Sequence, residues 1–300
     1  MSARPRRHRA VTLGVGVTAI ALLLTSCGKD SDNKTAAPKA SADSALTGLV
    51  PAQVKSDGKL VFGTDASYPP NEYTDVDGRT VVGWEVDLGK ALAEKLGLKA
   101  EFQNSKFDTI IAGVQSGKYE IGLSSFTDNK DREKAVDFVT YYSAGTSWAA
   151  LKGNPKGVNP DDACGKKIGV QTGTVQQTDD IPARQKKCKT AGKTAIEVVP
   201  RTQQTEVNTD LVSGKTDAML ADSPIVGYAI KQTGDKLEIL GQTYGTAPYG
   251  LAIGQNSGQL KDAVLGALKA LIADGTYKSI LEKVGAQDGA ITDPKINGAQ

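Results

Sequence analysis

Apolar residues recur along this chain with two periods that take turns. Lys59 to Ala66 and Lys99 to Gln103 read as strands, and between them Leu88, Ala91, Leu92 and Leu96 fall on one helix face. Ile110, Ile111 and Val114 mark the next helix, ahead of a short apolar strand at Ile121-Gly122-Leu123. Beyond residue 160 the alternation starts again. A strand Lys167 to Gln171 precedes a helical stretch Thr174 to Lys187, broken at Pro182, and a strand Ala195 to Val199. A helix around Val207 to Val212, a strand Asp217 to Ala221, a helix Pro224 to Lys231 and a strand Leu237 to Leu240 complete the series. Strand–helix alternation predicts an α/β fold of mainly parallel sheets flanked by helices, with ligands outside the strands' carboxyl ends.

The pattern also repeats. Ser116-Gly117-Lys118-Tyr119-Glu120-Ile121 and Ser213-Gly214-Lys215-Thr216-Asp217-Ala218 occupy equivalent helix-to-strand junctions, 97 residues apart, and in that register Ser125 corresponds to Asp222. Two similar lobes are therefore expected. The helical tail (Leu260, Ala263, Val264, Ala267, Leu268, Leu271, then Tyr277 to Val284) has no strand of its own and is expected to pack back on the first lobe. The chain would then cross between lobes near Trp148 to Lys152 and near Gln242 to Tyr249, two adjacent crossovers forming a hinge. The boundaries read as 51–148 plus 247–300 for lobe I and 149–246 for lobe II.

The N-terminus sets the compartment. Arg4, Arg6, Arg7 and Arg9 precede an apolar run from Val11 to Leu24, too short to span a bilayer comfortably and suited to a secretory signal. Leu24-Thr25-Ser26-Cys27 resembles the bacterial lipoprotein box, which implies cleavage after residue 26 and acylation of Cys27; the other reading is an ordinary signal with a chance cysteine. Arg6-Arg7 lacks the apolar pair of a twin-arginine signal, so the general secretory route is expected. Residues 27–50, rich in Ser, Ala, Asp, Lys and Thr, read as a flexible tether.

Loss of that leader removes four arginines and no acid, so the formal charge falls from +2 to −2. No basic patch supports nucleic-acid binding. The one histidine, His8, lies in the leader, which excludes Ser-His-Asp and Cys-His catalysis and any histidine metal site from the remainder; no cofactor is expected. Cys164 and Cys188 form an even pair, in this compartment read as bridged, the alternative being two buried thiols. The loop they would close is worth on the order of 3 kcal/mol in the chain-entropy model.

The candidate chemistry sits at strand ends. Asp65 ends the first strand, followed by Tyr68; Phe107 precedes the second helix; Ser125, Thr127 and Arg132 follow the third strand. In the second half Gln171-Thr172-Gly173-Thr174-Val175 turns into a helix N-terminus, whose free N–H groups favour an anion. Asp222 ends a strand before Ser223-Pro224, which fit the N-cap and first helical positions. One fixed cation, anion-seeking amides and a separate carboxylate complement a zwitterionic α-amino acid, Arg132 taking its carboxylate and Asp222 its ammonium. Rival readings are a solvated helix face around Arg132, amid Asp128, Lys130, Asp131, Glu133 and Lys134, and a mere helix cap for Asp222. Trp84 is assigned to the core. Ser213-Gly214-Lys215-Thr216 fails as a phosphate loop, because Thr209 stands where the earlier glycine belongs.

GTDASYPPNEY at 63–73, GKYEIGLSSFTDNKDR at 117–132, KKIGVQTGT at 166–174 and GKTDAMLADSP at 214–224 together resemble the family 3 extracellular solute-binding proteins, amino-acid receptors of ABC importers. The resemblance covers about residues 57–285. It implies a two-lobed periplasmic-binding-protein type II fold that closes on its ligand, with Arg132 and Thr127 on the α-carboxylate and Ser125 and Asp222 on the α-ammonium. It further implies that Asp65, Tyr68 and Phe107 meet the ligand side chain, with Gln171, Thr174 and Val175 completing the pocket. Val175 stands where relatives often carry Thr or Gly, so a backbone contact survives there and a hydroxyl contact does not. A bridge like Cys164–Cys188 occurs in some members. The implied protein is a monomer, lipid-anchored outside the cytoplasm, that delivers an amino acid, weakly favoured as polar or basic, to a membrane permease. The strongest rival on the same fold is a secreted cyclohexadienyl or arogenate dehydratase-like enzyme; a surface sensor or adhesin is the third class.

Overall fold

The computed structural model describes residues 42–299. The expected signal, Cys27 and most of the expected tether lie outside them. The last residues of the stretch read as tether are folded. Asp43 accepts from the backbone N–H groups of Ala45 and Leu46 and so caps a helix, α1 (Ser44–Leu49). Leu46 and Leu49 pack against the core and Val50 is buried. Three apolar residues outweigh a tether-like composition and fix the end of the segment.

After α2 (Ala52–Ser56), β1 (Lys59–Thr64) carries the fully buried Leu60 and Phe62. The short strands β2 (Ser67–Tyr68), β3 (Glu72–Thr74) and β4 (Val81–Val82) form a small antiparallel sheet. It leads into α3 (Trp84–Lys95), whose residues Trp84, Leu88, Ala91 and Leu92 make a buried stripe. Gly83 enters α3 at φ 132°, where a Cβ would lie 2.1 Å from the Asn71 carbonyl oxygen; a side chain there is excluded by contact and by backbone preference. β5 (Lys99–Asn104), α4 (Phe107–Gln115) and β6 (Ile121–Gly122) follow, and β5 and β6 flank β1 in parallel.

The charged stretch after β6 forms a helix of four residues, α5 (Lys130–Glu133), with Asn129 accepting from the Arg132 N–H at its start. Then comes a strand the periodicity did not separate: β7 runs from Asp137 to Leu151. The second alternation gives β8 (Lys167–Gln171), a π-type turn Gln176–Asp180, α6 (Ile181–Thr190), β9 (Glu197–Arg201), α7 (Gln204–Val212), β10 (Ala218–Asp222) and α8 (Ser223–Gln232). Pro182 sits in the first turn of α6, where its missing N–H is harmless, so it marks the start of that helix. β11 (Leu237–Ile253), α9 (Leu260–Ala273) and α10 (Thr276–Glu282) follow, and the last two pack on the core of the first half.

The strand order β5-β1-β6-β11-β7-β10-β8-β9 places a parallel set at each end, joined by the antiparallel pair β7 and β11 that runs through both. This is the two-lobed arrangement, with separate buried clusters around Phe62 and around Ile168. The β7–β11 register slips between Leu240 and Tyr244 and between Tyr244 and Ala247, opposite Thr146. Trp148 and Ala150 already belong to the second lobe's cluster with Ile168 and Val170. The first crossing therefore precedes Trp148, earlier than the expected 148–152. Cys164 and Cys188 form a disulfide that ties the loop after β7 to α6.

Among the described residues no helix is long and apolar enough to cross a membrane, and no cluster of three or more His, Cys, Asp or Glu is placed to hold a metal.

Candidate functional site

All ten residues singled out from the sequence line one narrow cavity between the lobes: Asp65, Tyr68, Phe107, Ser125, Thr127, Arg132, Gln171, Thr174, Val175 and Asp222. Ser124 and Gln176 join them. The position follows from topology, since β1, β6, β8 and β10 all direct their carboxyl ends here.

Arg132 is held on both sides of the cleft. Its guanidinium donates to the Thr127 carbonyl at 2.9 Å within its own lobe and to the Gly173 carbonyl at 3.0 Å across the gap. The rings of Phe107 and Phe126 lie 5.6 and 5.3 Å from it, close enough for cation–π attraction. Burial lowers its pKa to about 10, against the pull of Asp222, so it is a cation at neutral pH.

Asp222 occupies the N-cap position of α8, yet its side chain makes no capping bond. Its carboxylate instead accepts from Gln176 Nε2 (2.7 Å), Tyr249 OH (2.8 Å) and Tyr68 OH (2.9 Å). Ser223, expected as the cap, is the first helical residue. Burial pushes the Asp222 carboxyl up, and these three donors with the Arg132 charge oppose that. Tyr68 comes from the first lobe but packs among second-lobe residues such as Val207 and Leu211.

At another part of the cavity Asp65 accepts from the Phe107 N–H at 3.0 Å and from Gln171 Nε2 at 3.0 Å. Its carboxyl too is raised, chiefly by burial. Gln171 is buried, and its second polar atom, Oε1, has no hydrogen-bond partner. A buried acceptor of this kind is costly to leave unmade, so it favours a donor from a ligand. Hydrogen bonds thus cross the cleft from Arg132 to Gly173, from Tyr68 and Tyr249 to the Asp222 carboxylate, from the Asp222 N–H back to the Tyr68 oxygen, from Gln171 to Asp65, and from the Gln204 N–H to Ser67 Oγ at 3.1 Å.

Ser125 lines the cavity while its hydroxyl donates to Glu85 at 2.7 Å and accepts from Asn71 Nδ2 at 2.9 Å, so that hydroxyl is engaged by buried groups. The glycine turn is also less open than its sequence suggests, because the Gly173 N–H donates to Gln177 Oε1 and the Thr174 hydroxyl to the Gln171 carbonyl. Sequence reasoning missed Gln176, Tyr249, Glu72 and Glu85. A signal existed for Glu85: it falls on the helix stripe it shares with Leu88 and Leu92, at spacings of three and seven.

Residues 60–287 match the model of the bacterial extracellular solute-binding proteins, family 3. The chain is 33% identical over 293 residues to the arginine-binding protein ArgT of Corynebacterium glutamicum, covering 96% of each chain. Among solved structures, an ancestral arginine-binding protein bound to arginine matches with a TM-score of 0.69 at 35% identity, over 75% of this chain and 97% of that one. The ancestral amino acid-binding protein AncCDT-1, described as a precursor of cyclohexadienyl dehydratase, matches with a TM-score of 0.69 at 31% identity, over 77% and 97%. With the family matched over most of its length, the chain is a member of family 3 of the bacterial extracellular solute-binding proteins.

Proposed function

We propose that this protein is an extracytoplasmic receptor for a free amino acid with a basic side chain, most simply L-arginine, and that it passes its ligand to the permease of an ABC importer. The observation that carries the reading is the sorting of charge around one cavity. Arg132, with the backbone near Thr127, receives the α-carboxylate in the bidentate manner a guanidinium favours. Asp222, already fixed by Tyr68, Tyr249 and Gln176, receives the α-ammonium. The side chain then meets Asp65 and the unpartnered Gln171 Oε1, both acceptors, which suit a guanidinium's N–H donors.

Phe107 and Tyr68 wall the pocket, and Thr174 and Val175 close it from the second lobe. Because Arg132 and Asp222 lie on opposite lobes, a ligand gains both charges only when the lobes are together, so it favours closure by the difference. Micromolar affinity, about −8 kcal/mol, is sufficient for a scavenging receptor. Attachment through lipid on Cys27 and a monomeric receptor belong to the same proposal. Thermal-shift measurements across the common amino acids test it: basic ligands, arginine foremost, are expected to raise the unfolding temperature most. A preference for small apolar amino acids overturns the side-chain assignment.

The likeness to a dehydratase precursor keeps a second reading in play. Turnover of arogenate or prephenate by the purified protein decides for it.

A further inference from the structure

Glu72 and Glu85 are both wholly buried directly behind the cavity, on neighbouring elements β3 and α3. Burying two carboxylates side by side is unfavourable unless one is neutral. Their hydrogen bonds say which. Glu85 accepts three: from the Ser125 hydroxyl at 2.7 Å, the Ser125 N–H at 3.1 Å and the Tyr141 hydroxyl at 2.7 Å. Glu72 Oε1 accepts from the Ser124 hydroxyl at 2.8 Å, whose own oxygen takes the Asp65 N–H at 3.0 Å. Glu72 Oε2 lies 3.4 Å from Ser125 Oγ, but the one proton on that hydroxyl is already directed at Glu85. An ionised Glu72 would turn lone pairs toward lone pairs there, whereas a carboxylic acid supplies the missing donor.

We propose that Glu72 and Glu85 hold one proton between them, on Glu72, and that this singly charged pair is a positioning device for the cavity wall at Ser124 and Ser125. Ser125 sits at φ 52°, a left-handed conformation that costs a serine energy. Glu85 grips it through both its N–H and its hydroxyl, and Glu72 holds Ser124 beside it, which in turn fixes Asp65. The pair therefore sets the turn that leads to Thr127 and Arg132 without touching the ligand. The physical setting agrees. Burial lifts both carboxyls, Glu85 to about 7, and the neighbouring Glu85 adds to the rise at Glu72. The titratable groups facing the pair are Asp65 after β1, Tyr141 and Tyr142 of β7 and Tyr249 of β11, all acids whose own ionisation is suppressed by burial first and, for the tyrosines, also by Glu85.

The shared proton is independent of the proposed function; the positioning role rests on it. The test uses the full chain and the variants Glu72→Gln and Glu85→Gln. Infrared spectra of the ligand-free protein at pH 7.5 read the carbonyl stretch of a protonated carboxyl; a band present in wild type and lost in Glu72→Gln is expected. A wild-type spectrum unchanged by Glu72→Gln overturns the proton assignment, whatever the protein binds. With L-arginine as the probe, Glu72→Gln is expected to bind within about twofold of wild type, since its amide both accepts from Ser124 and donates toward Ser125. Glu85→Gln, presenting an N–H where Ser125 also donates, is expected to lose roughly tenfold or more. Equal affinity for wild type and Glu85→Gln overturns the positioning role. Should Glu85→Gln not fold, Tyr141→Phe, which removes one of the three donors, is expected to weaken binding several-fold, and unchanged binding overturns the role equally. Wild-type protein that binds no amino acid refutes the receptor reading and leaves the infrared result to decide the proton.

Discussion

Arg132 donates one guanidinium hydrogen to the carbonyl of Gly173, 3.0 Å away on the opposite lobe. The group assigned to a ligand's carboxylate is thus also a bond across the cleft, held in line by the rings of Phe107 and Phe126. Arg132→Ala is expected to cost about 2–5 kcal/mol of ligand affinity, the usual penalty for removing one partner of a buried charge pair. Arg132→Lys should recover little, because a point charge does not reproduce the fork. Isothermal titration calorimetry on folded variants measures both.

Asp222 provides a pH signature. Its carboxyl is lifted above the ordinary aspartate range, mainly by burial, and the ammonium contact needs it ionised. A raised folded-state pKa means the folded protein binds a proton more readily than the unfolded chain, so ionised Asp222 alone costs stability as pH rises, and a cationic ligand offsets that cost. Affinity is therefore expected to weaken on acidification at a higher pH than an exposed aspartate would give. Asp222→Asn should bind weakly and flatten the profile, which titrations from pH 4.5 to 8 would reveal.

Tyr68 and Tyr249 both donate to Asp222 Oδ2, at 2.9 and 2.8 Å, so neither acts alone. Tyr249→Phe and Tyr68→Phe are each expected to lower affinity by about 1–3 kcal/mol, the cost of a lost hydrogen bond to a buried charge. The pair should be non-additive because the two share an acceptor. A double-mutant cycle gives the coupling.

The disulfide lies on the second lobe, joining the loop between β7 and β8 to α6. Replacing Cys164 and Cys188 by serine is expected to lower stability by about 3 kcal/mol while leaving ligand affinity unchanged. Chemical denaturation and a binding isotherm on the same variant separate the two effects.

Gly83→Ala is a test of the fold beneath the site. With φ at 132° and a Cβ 2.1 Å from the Asn71 oxygen, the turn into α3 must deform, and Asn71 and Glu85 with it. A loss of at least about 1–3 kcal/mol of stability is expected from the backbone strain alone.

Much of this was legible in the order of residues. Asp65, Ser125, Arg132 and Asp222 were found because parallel strands gather their carboxyl ends, and the 97-residue echo matched the third strand of each lobe. What periodicity could not supply was β7 and β11. DFVTYYSAGTSWAAL has polar and small residues in its middle, where the strand passes from one lobe's core to the other's and no single face stays apolar. α1 was hidden because helix-forming Ala, Ser and Leu within a polar stretch also compose a tether; only the partners of Leu46 and Val50, far along the chain, distinguish the two. Ser125 illustrates a different limit: its type and position pointed to the cavity, and a buried glutamate forty residues earlier takes its hydroxyl.

The central claim is a zwitterion bridging Arg132 and Asp222 with its side chain toward Asp65 and Gln171. Calorimetric titration of wild type, Arg132→Ala and Asp222→Asn with L-arginine tests it most directly. Micromolar or tighter binding by wild type, lost in both folded variants, is the expected result. Binding that survives either substitution unchanged contradicts the account.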